Sequence, residues 1–373
     1  MQATKERQMS TVMIHPADYQ ECQAAVDRAF ELFPQVIKGR KVLIKPNVLR
    51  PARPEEAVTT HPAILEAVVR RVEAENPSSI IVGDNPGLMG YGANEKSFER
   101  CGLIPASRGH YRNIGTDASD VPFAQEYGGT LSVSRDILDA GVFISLPKFK
   151  THGLTGITGA IKNSYGILPG AQKAKLHKLS GGQTRFHELI VDVFRLRVPD
   201  LVIMDAVLGM QGNGPASTEL RWIGRVLASD DAVALDAVMA RMMGIDPEQL
   251  RFLTRAGELG LGDFSEESIR LEGDFFQIAD FKYPPLGEDA LKHLSHIQRL
   301  LDERAASRPE ADPALCTACG ACVELCPAGA LTMEGQLPMV DAEACIACYC
   351  CQEMCPEKAI SLKTPERLCP GRA

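Results

Sequence analysis

No run in this chain of 373 residues approaches the roughly 18–20 consecutive apolar residues that a membrane-spanning helix needs. The first twenty residues, MQATKERQMSTVMIHPADYQ, lack an apolar core of signal-peptide length, so a cytoplasmic protein is expected. Excess positive charge is also missing. The formal net charge is −8, which argues against duplex nucleic acid as a partner. The glycine patterns of the P-loop and of the dinucleotide fingerprint are absent, so ATP and NAD(P) have no specific support. Apolar residues at 45% and charged residues at 24% exclude wholesale disorder, and the length suits two or three domains.

Twelve cysteines are present, and ten of them lie between Cys316 and Cys369. Such crowding means disulfides or metal, and a cytosolic chain keeps its disulfides reduced, which leaves metal. Before that region, short β-branched runs alternate with amphipathic stretches. Strands are expected at Thr11–Ile14, Lys41–Ile44, Ser79–Val82, Gly141–Leu146, Asp200–Met204 and Trp222–Ala228. Helices are expected over Ala63–Glu75, Phe186–Arg197, Asp230–Gly244 and Glu288–Ala306. This alternation predicts an α/β fold around a mostly parallel sheet, with helices on both faces because the strand runs are nearly continuous in apolar residues. The charged, Pro-containing segment Ser307–Pro313 predicts a boundary between an α/β domain, 1–306, and a small α+β domain, 307–373.

The second domain is an internal repeat. CTACGACVELCPAGAL (Cys316–Leu331) and CIACYCCQEMCPEKAI (Cys345–Ile360) match at an offset of 29 residues, and each reads CxxCxxCxxxCP. Over about 55 residues this resembles the bacterial two-cluster ferredoxin fold. The resemblance implies two 4Fe–4S clusters with crossed ligation, in which the fourth cysteine of each repeat serves the other cluster. One set is then Cys316, Cys319, Cys322 and Cys355, and the other Cys345, Cys348, Cys351 and Cys326. Zinc in two CxxC-type sites, or clusters with a structural role alone, are the alternatives. Cys350 and Cys369 fall outside the repeated spacing and are expected as bystanders, while Cys22 and Cys101 read as small core residues.

In the α/β part, polar residues follow several expected strands. Lys45 and Asn47 follow one, Asp84 and Asn85 the next, Lys148, Lys150 and His152 a third, and Asp205 a fourth. Strand carboxyl ends in a parallel sheet share one edge, so these residues are expected to meet in one crevice. His61, before Pro62, is expected at a helix start, where a structural role is the alternative. From Ala140 to His187 there is no Asp or Glu, although the chain is acidic. That glycine-rich stretch carries Lys148, Lys150, Lys162, Lys173, His152 and His177, and its charge points to a small anionic ligand. A solvated loop, or a docking face for the acidic module, is the alternative.

Five of these motifs carry a wider resemblance: KPN at Lys45–Asn47, TTHP at Thr59–Pro62, GDNPG at Gly83–Gly87, Leu146–Asn163 and Ala234–Pro247. Over Val42–Pro247 the chain resembles the domain-of-unknown-function family 362, whose members often end in a two-cluster ferredoxin module. LRPARP (Leu49–Pro54) with KNSYGILPG (Lys162–Gly170) is similar to the N-terminal domain of lactate racemase-like proteins, which bears on fold alone. The expected function is an iron–sulfur oxidoreductase that takes electrons from an external donor protein. Its two clusters would deliver them to a small anionic substrate, or to a flavin or other organic cofactor, in the crevice. Lys148, Lys150, Lys162 and Asn163, with Asn47, His61 and Asn85, are expected to bind the ligand. His152 and Lys45 are the candidate acids and Asp84 the orienting group. The alternatives are an electron-transfer or maturation partner without turnover, and a non-redox enzyme with structural clusters.

Overall fold

A computed structural model describes residues 9–87, 92–170, 172–180, 183–283 and 308–363. The helix expected at Glu288–Ala306 and the thiol of Cys369 lie outside these residues. In chain order the first strands are β1 (Ser10–Pro16), β2 (Lys41–Pro46), β3 (Ser79–Val82), β4 (Ala118–Pro122), β5 (Thr130–Ser134) and β6 (Val142–Leu146). They are followed by β7 (Lys148–His152), β8 (Gly156–Ile157), β9 (Leu201–Met210), β10 (Leu220–Ser229) and β11 (Ile269–Glu272). The main sheet runs β11-β1-β10-β9-β6-β2-β3. Only β10 opposes its neighbours β1 and β9; every other adjacent pair on this path is parallel. β4 and β5 form a separate antiparallel hairpin. Among the described residues, no helix is long and apolar enough to cross a membrane.

Both faces of the sheet are covered, which explains the apolar strand sequences. Val42, Ile44, Val142 and Ile144 face one core, together with the helices Cys22–Leu32 and Pro62–Ala74. Leu43, Phe143, Val202 and Met204 face the other, together with the helices Gln183–Phe194, Ala232–Met242 and Arg251–Glu258. Cys22 and Cys101 are buried in the first core. Strands β4, β5, β7, β8 and β11 were not expected, and two departures bear on the site. After Pro147 the chain re-enters the sheet as β7, parallel to the second half of β9. β9 itself continues to Met210, so Asp205 lies within a strand and not at its end.

The C-terminal module folds as the repeat dictates. Its strands are β12 (Arg308–Ala311), β13 (Leu331–Glu334), β14 (Leu337–Val340) and β15 (Ile360–Lys363). β12 pairs with β15 and β13 with β14, so each ribbon takes one strand from each half. The residues expected as a connection, from Arg308 onward, are therefore already a strand of the module. Left-handed backbone recurs at the 29-residue offset: Ala318 and Ala347, Gly320 and Tyr349, Gly329 and Lys358. These turns curl each cysteine loop inward. The module's core includes Cys322, Cys351 and Cys355 beside Leu331 and Ile360.

The module packs closely on the α/β domain. Tyr349 and Leu362 join the second core of that domain. Gly153 lets Leu362 pack closely, since a Cβ at that position would lie 2.9 Å from the Leu362 Cδ1 and displace that side chain. Gln352 Nε2 donates to the Asn213 carbonyl at 2.7 Å, and Lys358 Nζ donates to that of Ser217 at 3.2 Å.

Candidate active site between the sheet and the cysteine module

A cavity of about 780 Å³ opens beyond the carboxyl ends of β2 and β3. Lys45, Asn47, Asp84, Asn85, Lys162, Asn163, Lys173 and His177 line it from the α/β side. Leu325, Cys350, Glu353 and Met354 close it from the module side. Leu325 precedes Cys326, and Cys350 precedes Cys351, so the cavity borders the cysteine loops directly.

The rear wall is a fixed polar network. Lys45 Nζ sits 2.7 Å from Asp84 Oδ1, and both side chains are buried. Lys45 also donates to Asn163 Oδ1 at 3.1 Å, which accepts a second bond from Asn47 Nδ2 at 3.1 Å. The other Asp84 oxygen accepts the Val48 N–H at 2.8 Å. Residue 166 must be glycine, since a Cβ there would lie 2.2 Å from Asp84 Oδ1 and 2.6 Å from Lys45 Nζ. Asn47 Oδ1 and Asn85 Oδ1 are buried and have no partner among the described residues.

Lys162 and Asn163 are carried by the short helix Gly159–Asn163. Asp236 holds the start of that helix by accepting the N–H groups of Ala160 at 2.6 Å and Ile161 at 3.0 Å. Burial pushes the Asp236 carboxyl up to about 7, and those two N–H groups limit the rise. This contact accounts for the buried acid in the Ala234–Pro247 motif.

Lys162 extends over the Tyr165 and Phe186 rings, 6.0 Å from each centroid. No hydrogen bond or ion pair engages its ammonium among the described residues. Burial lowers its pKa, and Glu353 and Cys350 oppose that shift. Lys173 donates to the carbonyls of Asn85 and Pro86. Burial brings its pKa down to about 7, with Asp84 opposing. His177 stacks on Phe186 at 4.3 Å with Nδ1 unpartnered, and burial lowers it to about 3. Burial acts to raise the Glu353 carboxyl, but His152, Lys162 and His177 outweigh it and hold the group near 2. The wall therefore offers Lys162 as an uncommitted cation and Lys173 as an amine that titrates near neutrality.

The residues expected in a single crevice do not all meet. Lys45, Asn47, Asp84, Asn85, Lys162 and Asn163 line the cavity; Lys148, Lys150, His152 and His61 do not. The cause is β7. Lys148, Lys150 and His152 alternate along this strand and are buried against other partners. Lys148 Nζ pairs with Asp205 Oδ2 at 2.7 Å beneath Tyr19, and Lys150 Nζ donates to the Val58 carbonyl at 2.7 Å. His152 Nε2 lies 2.9 Å from Glu353 Oε1, while its Nδ1 accepts the Leu154 N–H at 3.1 Å. His61 is the N-cap of the helix Pro62–Ala74, its Nδ1 accepting the Ala63 N–H, and its ring stacks 3.6 Å from Tyr19. The alternation in KFKTH was the signal for a strand. Glu353 carried no signal, because its repeat counterpart Glu324 is exposed.

The cysteines enclose two further spaces. Cys316, Cys319, Cys322 and Cys355 wall one of about 350 Å³. Cys326, Cys345, Cys348 and Cys351 wall another of about 340 Å³. In each, three thiols come from one repeat and the fourth from the other. The Cys326 and Cys355 sulfurs accept the N–H groups of Ala330 and Ala359, both at 3.3 Å, which orients them. Four thiol donors around a space larger than one ion fits an iron–sulfur cluster. Cys350 lines neither space and faces the larger cavity instead.

An α/β domain with a cluster-binding module against its strand ends is the class these features define. The model of the domain of unknown function DUF362 matches residues 42–241, and that of a 4Fe–4S dicluster domain matches 308–356. The chain belongs to the DUF362 family and carries an iron–sulfur module of the electron-transfer type. Thylakoid-associated protein sll1697 of Synechocystis sp. is 32% identical over 240 residues, covering 61% of this chain and 71% of that one. A crystal structure of a Thermotoga maritima protein aligns at 12% identity and a TM-score of 0.38, over 65% of this chain and 59% of that one, which is too distant to carry an argument.

Proposed function

We propose that the chain is an iron–sulfur oxidoreductase, served by an external donor protein, whose cavity holds a small anionic substrate or a bound organic cofactor. The observation that carries this reading is Lys162, an unpaired ammonium in a cavity shared by the α/β domain and the Cys350–Met354 helix. Two 4Fe–4S clusters, held by the crossed cysteine sets, supply one-electron storage and transfer when bound. Lys162 binds the anion's charge. The Lys45–Asp84 pair fixes Asn163 and so the rear wall. Lys173 is the proton donor of this reading: an amine titrating near 7 both holds and releases a proton at neutral pH. His152, expected as an acid, is instead the buried partner of Glu353, and Lys148 and Lys150 hold the sheet.

The reading keeps the chain cytoplasmic, where its thiols stay reduced; the thylakoid association in the name of the Synechocystis relative adds a membrane surface as a place to look. The test is native mass spectrometry of the anaerobically purified protein. A small anion should be retained by the wild type and lost in Lys162→Ala at unchanged iron content. Equal retention by both proteins would defeat the reading.

A further inference from the structure

A second recess lies on the outer side of the module. It is an open groove of about 1550 Å³ between Arg50–Glu56, the helix Ala93–Arg100 and the turn Pro356–Lys358. Five cations stand in its wall, Arg50, Arg53, Lys96, Arg100 and Lys358, against three glutamates. The local balance is thus positive on a chain of net charge −8.

One of the glutamates, Glu56, is already engaged by the cations, 3.5 Å from Lys358 Nζ and 3.9 Å from Arg50 Nη2. Arg50 is 3% exposed, yet its Nε and Nη2 have no hydrogen-bond partner among the described residues. Its charge is balanced in part by Glu56 and adds to the positive potential of the groove. Arg53, Lys96 and Arg100 are exposed around it. The groove shares Pro356 and Glu357 with the space walled by Cys316, Cys319, Cys322 and Cys355. It is therefore the basic surface immediately outside one cysteine set, whereas the Lys162 cavity adjoins Leu325, next to Cys326 of the other.

We infer that this groove is the docking surface for the acidic face of a one-electron carrier protein. Charge complementarity selects the partner: acidic side chains meet the exposed Arg53, Lys96 and Arg100, with Arg50 adding positive potential from behind them. A small anion would engage only part of this spread of cations, and a basic carrier would be repelled. The inference rests on the iron–sulfur reading of the module and is independent of any ligand in the inner cavity.

The test uses the full-length protein with its iron in place and oxidised plant-type 2Fe–2S ferredoxin as the acidic probe. Cytochrome c is the basic control and inorganic phosphate the small-anion control, with binding read by isothermal titration calorimetry. Ferredoxin should bind, cytochrome c should not, and the affinity should fall at least about tenfold from low to high salt. The triple substitution Arg53→Glu, Lys96→Glu, Arg100→Glu should weaken ferredoxin about tenfold or more. Glu99→Lys should tighten it, and Lys162→Ala should leave it as in the wild type, so this inference and the inner-cavity reading fail separately. If the triple variant loses iron, Arg100→Glu alone should still weaken binding. Ferredoxin binding no tighter than cytochrome c, binding unchanged in the charge reversals, or binding of phosphate alone overturns the inference.

Discussion

His152 on β7 and Glu353 on the Cys350–Met354 helix meet 2.9 Å apart, both buried, and this contact joins the α/β sheet to the cysteine module. Glu353 holds its charge because His152, Lys162 and His177 surround it. The same carboxylate lines the cavity, so one residue both fixes the module and shapes the site.

Glu353→Ala should therefore destabilise the holo-protein by on the order of 1–3 kcal/mol, the cost of leaving the buried His152 ring nitrogen without its polar neighbour. Glu324→Ala, at the equivalent position of the other repeat, is exposed and should change stability by less than about 0.5 kcal/mol. Denaturant unfolding at neutral pH checks both. Equal effects would mean that the module is not seated through Glu353.

Lys173 sets a pH dependence for the cavity. Its amine is protonated below about 7 and neutral above, so the site loses one positive charge as pH rises through that value. Affinity for the retained anion should fall as pH rises from 6 to 8, by up to about tenfold. Lys173→Arg, which stays charged, should flatten the profile. A flat wild-type profile would remove Lys173 from the site.

Crossed ligation makes a specific demand of the cysteines. Cys326→Ser should perturb the cluster of Cys345, Cys348 and Cys351, with whose thiols it shares a space. Cys350→Ala should leave the iron content intact, because Cys350 faces the other cavity. Electron paramagnetic resonance of the reduced variants, with iron analysis, reads both outcomes. Loss of the Cys316–Cys319–Cys322 cluster in Cys326→Ser would reverse the assignment.

Much of this arrangement was legible in the residues. The apolar runs at Lys41–Ile44 and Gly141–Leu146 mark buried parallel strands because helices cover both of their faces. Lys45, Asn47, Asp84 and Asn85 meet because β2 and β3 are neighbours whose ends share an edge. The fate of Lys148, Lys150 and His152 was hidden because lysines two apart look solvated, and only the pairing of β7 with β9 buries them. Asp205 looked like a strand end because a charged residue rarely sits within a buried strand; its pairing with Lys148 is what permits it. The repeat made the cysteine sets legible through spacing alone. It could not say which half faces the sheet, since Glu324 and Glu353 occupy equivalent places and differ only in what packs on them.

The central claim is that the Lys162 cavity presents a small anion to the iron–sulfur module, and anaerobic reoxidation tests it most directly. The chemically reduced protein is freed of reductant and mixed with fractionated small carboxylates and phosphate esters, and the visible absorbance of the clusters is followed. At least one anion should reoxidise the wild type, and the same anion should act at least about tenfold more slowly on Lys162→Ala with equal iron content. Clusters that stay reduced with every anion, or that reoxidise equally fast in both proteins, would contradict the account.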